Sequence, residues 1–229
     1  MGAIYLIRHG QASFGQADYD RLSPTGHQQS RVLGEGLKHL GLDVHATVRG
    51  SMRRHAETAT ACLEAMGHDE DSRIDEGFNE YDHDEVLRVF RPAFATPEGI
   101  AAALAAAADP RAEFQKLFAA AVARWTGGEH DADYSESWSA FRRRCIDGLD
   151  RAVANGGSGH NTLVFTSGGA ISVIVQHLLG LSDRDVLRLN WIIANTSVTR
   201  LIYGNGKCTL SYFNNYRHVE GDRALLSYR

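Results

Sequence analysis

The sequence predicts an α/β protein built on a layered sheet, and three observations carry that expectation. Short, continuous apolar runs rich in β-formers, Ala3–Ile7 and Thr162–Thr166, read as strands buried on both faces. They alternate with stretches whose apolar residues recur at spacings of three and four, the helical period. Both strands run directly into polar, glycine-containing turns, Arg8-His9-Gly10 and Ser167-Gly168-Gly169. Alternating strands and helices stack into layers. Such sheets usually bind ligands outside the C-terminal ends of their strands, where both turns fall.

Each element has its own local signal. Ser23-Pro24-Thr25 reads as a helix start, with Ser23 as N-cap and Pro24 at the first helical position. Leu33, Leu37 and Leu40 continue that helix and Gly41 stops it. Val44–Arg49 is a second strand. A helix follows over Arg53–Met66, with Ala59, Leu63 and Met66 inward and Gly67 after it. Ile74–Tyr81 reads as a loop or short strand. From Asp82 to about Asp133 the composition shifts towards alanine, charge and scattered aromatics, and Gly99–Ala108 is nearly all alanine, a strong helix former. No Gly/Ser/Pro-rich linker sets this stretch apart, so residues 1–229 are expected to form one domain with a helical insertion at about 82–133.

Ser135–Ala154 reads as a helix that Asn155–Gly159 breaks, with Trp138, Phe141, Cys145 and Leu149 on one face. After the Thr162–Thr166 strand comes an apolar helix over Ala170–Leu179. Trp191–Tyr203 and Cys208–Phe213 read as strands joined by Gly204-Asn205-Gly206, a hairpin signal.

Composition excludes several classes of function. Of 229 residues, 43% are hydrophobic and 23% charged, which argues against a disordered or fibrous chain. No apolar run approaches the ~20 residues that cross a bilayer. Ala3–Ile7 is too short for a signal-peptide core. A net charge of −4 offers no overall basic field for nucleic acid. Cys62, Cys145 and Cys208 are odd in number and far apart, so neither a zinc site nor a disulfide framework is expected. These features together predict a reduced, cytoplasmic protein.

The chemistry concentrates at the first strand end. Neutral imidazole is a good nucleophile towards phosphorus, and an adjacent guanidinium can grip phosphate oxygens in a bidentate manner. The Arg8-His9-Gly10 tripeptide is followed by Leu22-Ser23-Pro24-Thr25-Gly26-His27-Gln28-Gln29, and then by Arg54-His55-Ala56-Glu57-Thr58-Ala59. In this order these segments, with the late strand Asn195–Leu201, resemble the histidine phosphatase, or phosphoglycerate mutase-like, superfamily. Its signatures run as RHG, L-[ST]-x-x-G-x-x-Q and R-x-x-x-T-A.

The resemblance implies a three-layer αβα sandwich around a mostly parallel sheet. It also implies that His9 is the nucleophile that becomes phosphohistidine, and that Arg8 and Arg54 clamp the phosphate. Glu80 matches the acid that protonates the leaving oxygen, among the neighbouring carboxylates Glu76, Asp82, Asp84 and Glu85. There are two departures. Where the family carries a second histidine before its late helix, this chain has Ser167; that hydroxyl and the backbone at Gly168 are the remaining phosphate donors there. Where the family places a hydroxyl and an asparagine after RHG stand Ala12 and Gly15, leaving Gln11 and Ser13 to contact phosphate. His218 is a further histidine that could enter the site from another strand.

The function expected is a metal-independent phosphomonoesterase acting through phosphohistidine on a small phosphorylated substrate. No cofactor is expected, and substrate choice should reside in the insertion. The alternatives are mutase-type phosphoryl transfer, for which the basic aromatic segment reduces to Arg88–Pro92, and a weakly active pseudophosphatase, for which Ser167 is the motive. The remaining features receive plain readings: Asp82–Glu85 as a solvated turn, Arg142–Arg144 as an exposed helix face, and the three tryptophans as packing.

Overall fold

The computed structural model describes residues 1–13, 20–68 and 71–228, apart from the side chain of Leu187. The chain divides into two compact units, one of residues 1–80 and 144–229 and the other of Tyr81–Arg143.

The first unit holds a six-stranded, mostly parallel mixed sheet flanked by helices, the αβα layering expected from the resemblance. Its strands are β1 (Gly2–Arg8), β2 (Ala46–Arg49), β3 (Arg73–Ile74), β4 (Asn161–Thr166), β5 (Val198–Gly204) and β6 (Lys207–Asn215), in the order β3-β2-β4-β1-β5-β6. The first four run parallel; β5 and β6 are antiparallel to their neighbours. Around them lie α1 (Pro24–His39), α2 (Arg53–Met66), α7 (Gly168–Leu179), α8 (Asp183–Ile192) and the short α9 (Arg217–Glu220); α3 (His83–Phe90), α4 (Pro97–Leu104) and α5 (Pro110–Thr126) belong to the second unit, and α6 (Trp138–Ala154) begins in the second unit and belongs to the first from Arg144.

Local chemistry accounts for these elements. Ser23 Oγ accepts the Gly26 N–H at 3.0 Å and Pro24 opens α1. Side chains alternate across a strand, so Ala3, Tyr5 and Ile7 of β1 share one face. There they pack with Leu163 and Phe165 of β4, Leu33 and Leu37 of α1, and Ala59, Cys62 and Leu63 of α2. The alternate residues Ile4 and Leu6 are fully buried too, so β1 is covered on both sides, as its continuous apolar run requires. Each large apolar side chain buried in this way contributes roughly 1.5–3 kcal/mol over its exposed state. The β5–β6 hairpin turns on Asn205 and Gly206, with φ of 52° and 72°, the left-handed pair that a two-residue type I′ turn needs.

The expected strand Trp191–Tyr203 forms only in part. Trp191–Ala194 is not strand: Trp191 and Ile192 end α8, and β5 begins only at Val198. The run of β-formers misleads because Asn214 holds its backbone, accepting from Ala194 N–H at 2.8 Å and donating to the Ile192 carbonyl at 2.6 Å. Thr196 then takes a left-handed φ of 57° that no strand tolerates. The missed helix had a start signal: Ser182 is its N-cap, Asp183 and Asp185 lie in its first turn, and Ser182 Oγ donates to Asp185 at 2.6 Å.

In the second unit α3, α4 and α5 are all helical, and an aromatic cluster forms its core. Trp125 lies 4.8 Å from Tyr81 and 5.1 Å from Trp138 between ring centroids, and its indole N–H donates to the Glu136 carbonyl. The acidic Asp82–Glu85 segment is a helix start rather than a solvated turn. Asp82 caps α3 through the Glu85 N–H, and Glu85 is buried on Ser135. Among the described residues no helix is long and apolar enough to cross a membrane.

Candidate active site

The sheet register assembles the site. Pairing of Arg8 with Thr166 ends β1 and β4 side by side, so the residues that follow, His9 and Ser167, emerge next to each other. The His9 N–H donates to the Thr166 carbonyl at 2.9 Å. Gly50, just beyond β2, donates to the Phe165 carbonyl at 3.1 Å, and this delivers the start of α2 to the same edge. Arg8, His9, Arg54, Ser167, Gly168 and Glu80 all belong to the first unit.

His9 is buried, and its Nδ1 lies 2.7 Å from the Gly10 carbonyl. A carbonyl only accepts, so Nδ1 carries the ring proton and Nε2 keeps its lone pair. Burial first, then the charges of Arg54, Arg8 and His55, push its pKa well below the ordinary histidine value; the Gly10 bond opposes them only in part. The ring is neutral at neutral pH. Its backbone is held as firmly: the His9 carbonyl accepts from Asn195 Nδ2 at 3.1 Å. Gly10 N–H donates to Thr58 Oγ1 at 3.0 Å, and that hydroxyl donates to the Arg54 carbonyl, joining the two motifs. A Cβ on Gly10 would meet the Gly26 carbonyl at 2.5 Å, so glycine is required here for the approach of the loop to α1.

The two guanidiniums are anchored differently. Arg8 donates to the Ile193 carbonyl and, at 3.2 Å, to that of Tyr228. Arg54, almost fully buried, pairs with Asp20 at 2.7 Å. Gly168 sits beneath α8: a Cβ there would strike Asn190 Oδ1 at 2.3 Å and come within 3.7 Å of Arg8 Nε.

Glu80 Oε2 accepts the Gly169 N–H of α7 at 3.1 Å. The segment that carries it is fastened at three points. Thr166 Oγ1 donates to the Phe78 carbonyl at 2.6 Å. Asn79 exchanges hydrogen bonds with Ser51, at 2.7 Å from the Ser51 N–H and 2.8 Å to its hydroxyl. Arg144 donates to the carbonyls of Glu76 and Asn79 at 2.9 and 3.0 Å. Arg144 is therefore no part of an exposed face, as its neighbours in sequence suggested; it braces the Glu80 segment.

Other expected contacts are engaged elsewhere. Gln11 Oε1 accepts from Ser23 Oγ at 2.8 Å, and Ser13 Oγ donates to the Leu22 carbonyl at 3.1 Å. Gly15 lies outside the described residues. His218 Nε2 bonds Thr196 Oγ1 at 2.9 Å, and burial lowers its pKa to about 4; Thr196 in turn donates its N–H to the Arg8 carbonyl. His218 thus braces the turn behind His9. Cys62 is buried, with its thiol pushed up to about 12, and Cys62, Cys145 and Cys208 form no disulfide.

Sequence reasoning missed His55. It follows Arg54 at the start of α2, and its Nε2 lies 2.7 Å from Ser167 Oγ. Both residues are fully buried, and the His55 ring centroid is 5.8 Å from that of His9. One signal was available: a histidine inside the second arginine motif of a chain that has serine in place of the expected late histidine.

A neutral histidine between two arginines, on paired parallel strand ends with a carboxylate at the adjoining helix start, is an arrangement suited to holding and attacking a phosphoryl group. The sequence matches the histidine phosphatase superfamily (branch 1) over residues 4–90 and 105–216. The chain belongs to that superfamily, whose members are phosphatases or mutases. Solved structures share the fold. A phosphoglycerate mutase from Bacillus anthracis is 20% identical with a TM-score of 0.64, covering 95% of this chain and 94% of its own. A phosphoserine phosphatase from Entamoeba histolytica, in complex with 3-phosphoglyceric acid, is 19% identical with a TM-score of 0.65, over 96% of this chain and 100% of its own. A mycobacterial glucosyl-3-phosphoglycerate phosphatase is 20% identical with a TM-score of 0.60, over 93% and 98%.

Proposed function

We propose that the protein is a metal-independent phosphomonoesterase that acts through a phosphohistidine on small phosphorylated substrates. The observation that supports this most strongly is the state of His9. Its Nδ1 is committed to the Gly10 carbonyl, its ring is held neutral by burial and by two guanidiniums, and Nε2 is left as a nucleophile. The substrate phosphoryl group lies against Arg8 and Arg54, which balance the charge on its equatorial oxygens as His9 Nε2 attacks phosphorus. Two guanidiniums supply there the positive charge that other phosphatases draw from metal ions. Glu80 gives its proton to the departing oxygen, and the alcohol leaves. The same carboxylate then takes a proton from the water that cleaves the phosphorus–nitrogen bond and restores His9.

The second arginine's pairing with Asp20 at 2.7 Å gives it a defined position. The reading is tested with p-nitrophenyl phosphate: turnover should survive exhaustive chelation and fall by roughly a thousandfold or more in His9→Ala. Activity lost to the chelator and restored by a divalent cation would instead favour a metallohydrolase.

A further inference from the structure

The buried pair of His55 and Ser167 is the part of the site that this reaction scheme leaves unused. Ser167 stands at the N-cap of α7, yet its side chain caps nothing. Among the described residues its hydroxyl bonds the His55 ring alone. His55 Nδ1 is buried and finds no hydrogen-bond partner. A buried N–H without an acceptor is the rarer orphan in folded proteins, so the ring proton belongs on Nε2, which donates to Ser167 Oγ. The Ser167 proton is then directed away from His55. That leaves the proton available to an acceptor at the first turn of α7, where the helix dipole favours an anion and the Gly169 N–H already holds the Glu80 carboxylate. The fold makes room for the ring: a Cβ on Gly50 would lie 2.3 Å from His55 Nδ1, so only glycine fits there.

We propose that His55 is a positioning residue for phosphoryl transfer, holding the Ser167 hydroxyl as a hydrogen-bond donor to the phosphoryl group on its way to His9. The pair then serves where the family resemblance led one to expect a single imidazole. This rests on the phosphohistidine reading above. The groups facing His55 are Arg54 beside it on α2, Arg49 at the end of β2, His9 after β1, and Ser167 between β4 and α7. Burial and the two arginines keep the ring neutral, so it acts by donating a hydrogen bond and needs no charge of its own.

The test uses the full chain, p-nitrophenyl phosphate for turnover and inorganic phosphate for binding by calorimetry. In His55→Gln the side-chain amide takes the place of Nε2–H, so rate and phosphate affinity should stay within about threefold, with the wild-type pH profile. His55→Asn, His55→Ala and Ser167→Ala should each lose roughly tenfold or more. The losses should not add as those of unrelated sites do: His55→Ala combined with Ser167→Ala should lose no more than Ser167→Ala alone. Thermal unfolding identifies any variant that fails to fold, and the Gln and Asn variants then carry the comparison. Additive losses, or a Gln variant as impaired as the Ala variant, would overturn the proposal. So would an acid-stable phosphate on Ser167, which would make that hydroxyl a nucleophile and His55 its base. If the wild type hydrolyses nothing, the phosphatase reading fails by itself. Phosphate affinity across the same variants still decides the pairing: coupled losses support it, and independent or absent losses overturn it.

Discussion

A single carbonyl sets the chemistry of His9. By accepting from Nδ1, Gly10 leaves the lone pair on Nε2, the nitrogen proposed to attack, and burial, then the flanking arginines, keep it unprotonated. Glu80 is held at the start of α7 by Gly169, and its proposed work is to protonate a leaving oxygen. An alkoxide needs that proton as it departs, whereas nitrophenolate does not. Glu80→Gln should therefore slow alkyl phosphate hydrolysis at least tenfold more than nitrophenyl phosphate hydrolysis, a split read from kcat/KM on the two substrates (roughly 1.4 kcal/mol of differential barrier). Equal losses on both would assign Glu80 to binding or folding. The meeting of Arg8, His9 and Arg54 was readable because each sits in a motif at a strand end or helix start, whereas Glu80, in the segment between Phe78 and His83, was matched by resemblance alone. His55 was not readable, because its proposed role depends on Ser167, 112 residues away.

At the scale of elements, register does the work. Pairing Arg8 with Thr166 and Arg49 with Phe165 brings three chain segments to one edge, and no side chain need search for its partner. Gly10 is the tightest point of this construction. In Gly10→Ala the new Cβ would collide with the Gly26 carbonyl, forcing the His9 loop off α1. We expect a loss of about 1–3 kcal/mol in stability, by urea unfolding, together with a fall in kcat. A variant with wild-type stability and rate would show that the loop is not pinned there. Most elements were legible in the sequence for local reasons: Ser23-Pro24 starts α1, Gly67 ends α2, and Asn205-Gly206 turns the hairpin. The start of β5 was not. The β-formers Trp191–Ile193 point to a strand, while the groups that prevent one, Asn214 and the left-handed Thr196, act through tertiary contacts. Arg144 was misread for the same reason, since its carbonyl partners belong to a distant segment.

For the whole molecule, three histidines held neutral by burial give stability a defined pH dependence. In the unfolded chain His9, His55 and His218 titrate near 6.5, whereas all three lie lower in the native state, His218 at about 4. Above 6.5 neither state is protonated and no stability is lost. As pH falls below that value the unfolded chain binds protons that the native protein refuses, so stability drops; for His218 the displacement is worth roughly 3 kcal/mol by pH 4. Urea unfolding at pH 7.5 and 5 should show this decline, shallower in His218→Gln, and a flat profile would contradict the burial of these rings. The central claim is that phosphate passes through His9. Rapid quench of the wild type with labelled phosphoester, followed by mapping of the modified residue, tests it most directly. An acid-labile, base-stable phosphate should form on His9 and decay within turnover, and it should be absent from folded His9→Ala. Phosphate on any other residue, or full turnover by His9→Ala, would contradict that claim.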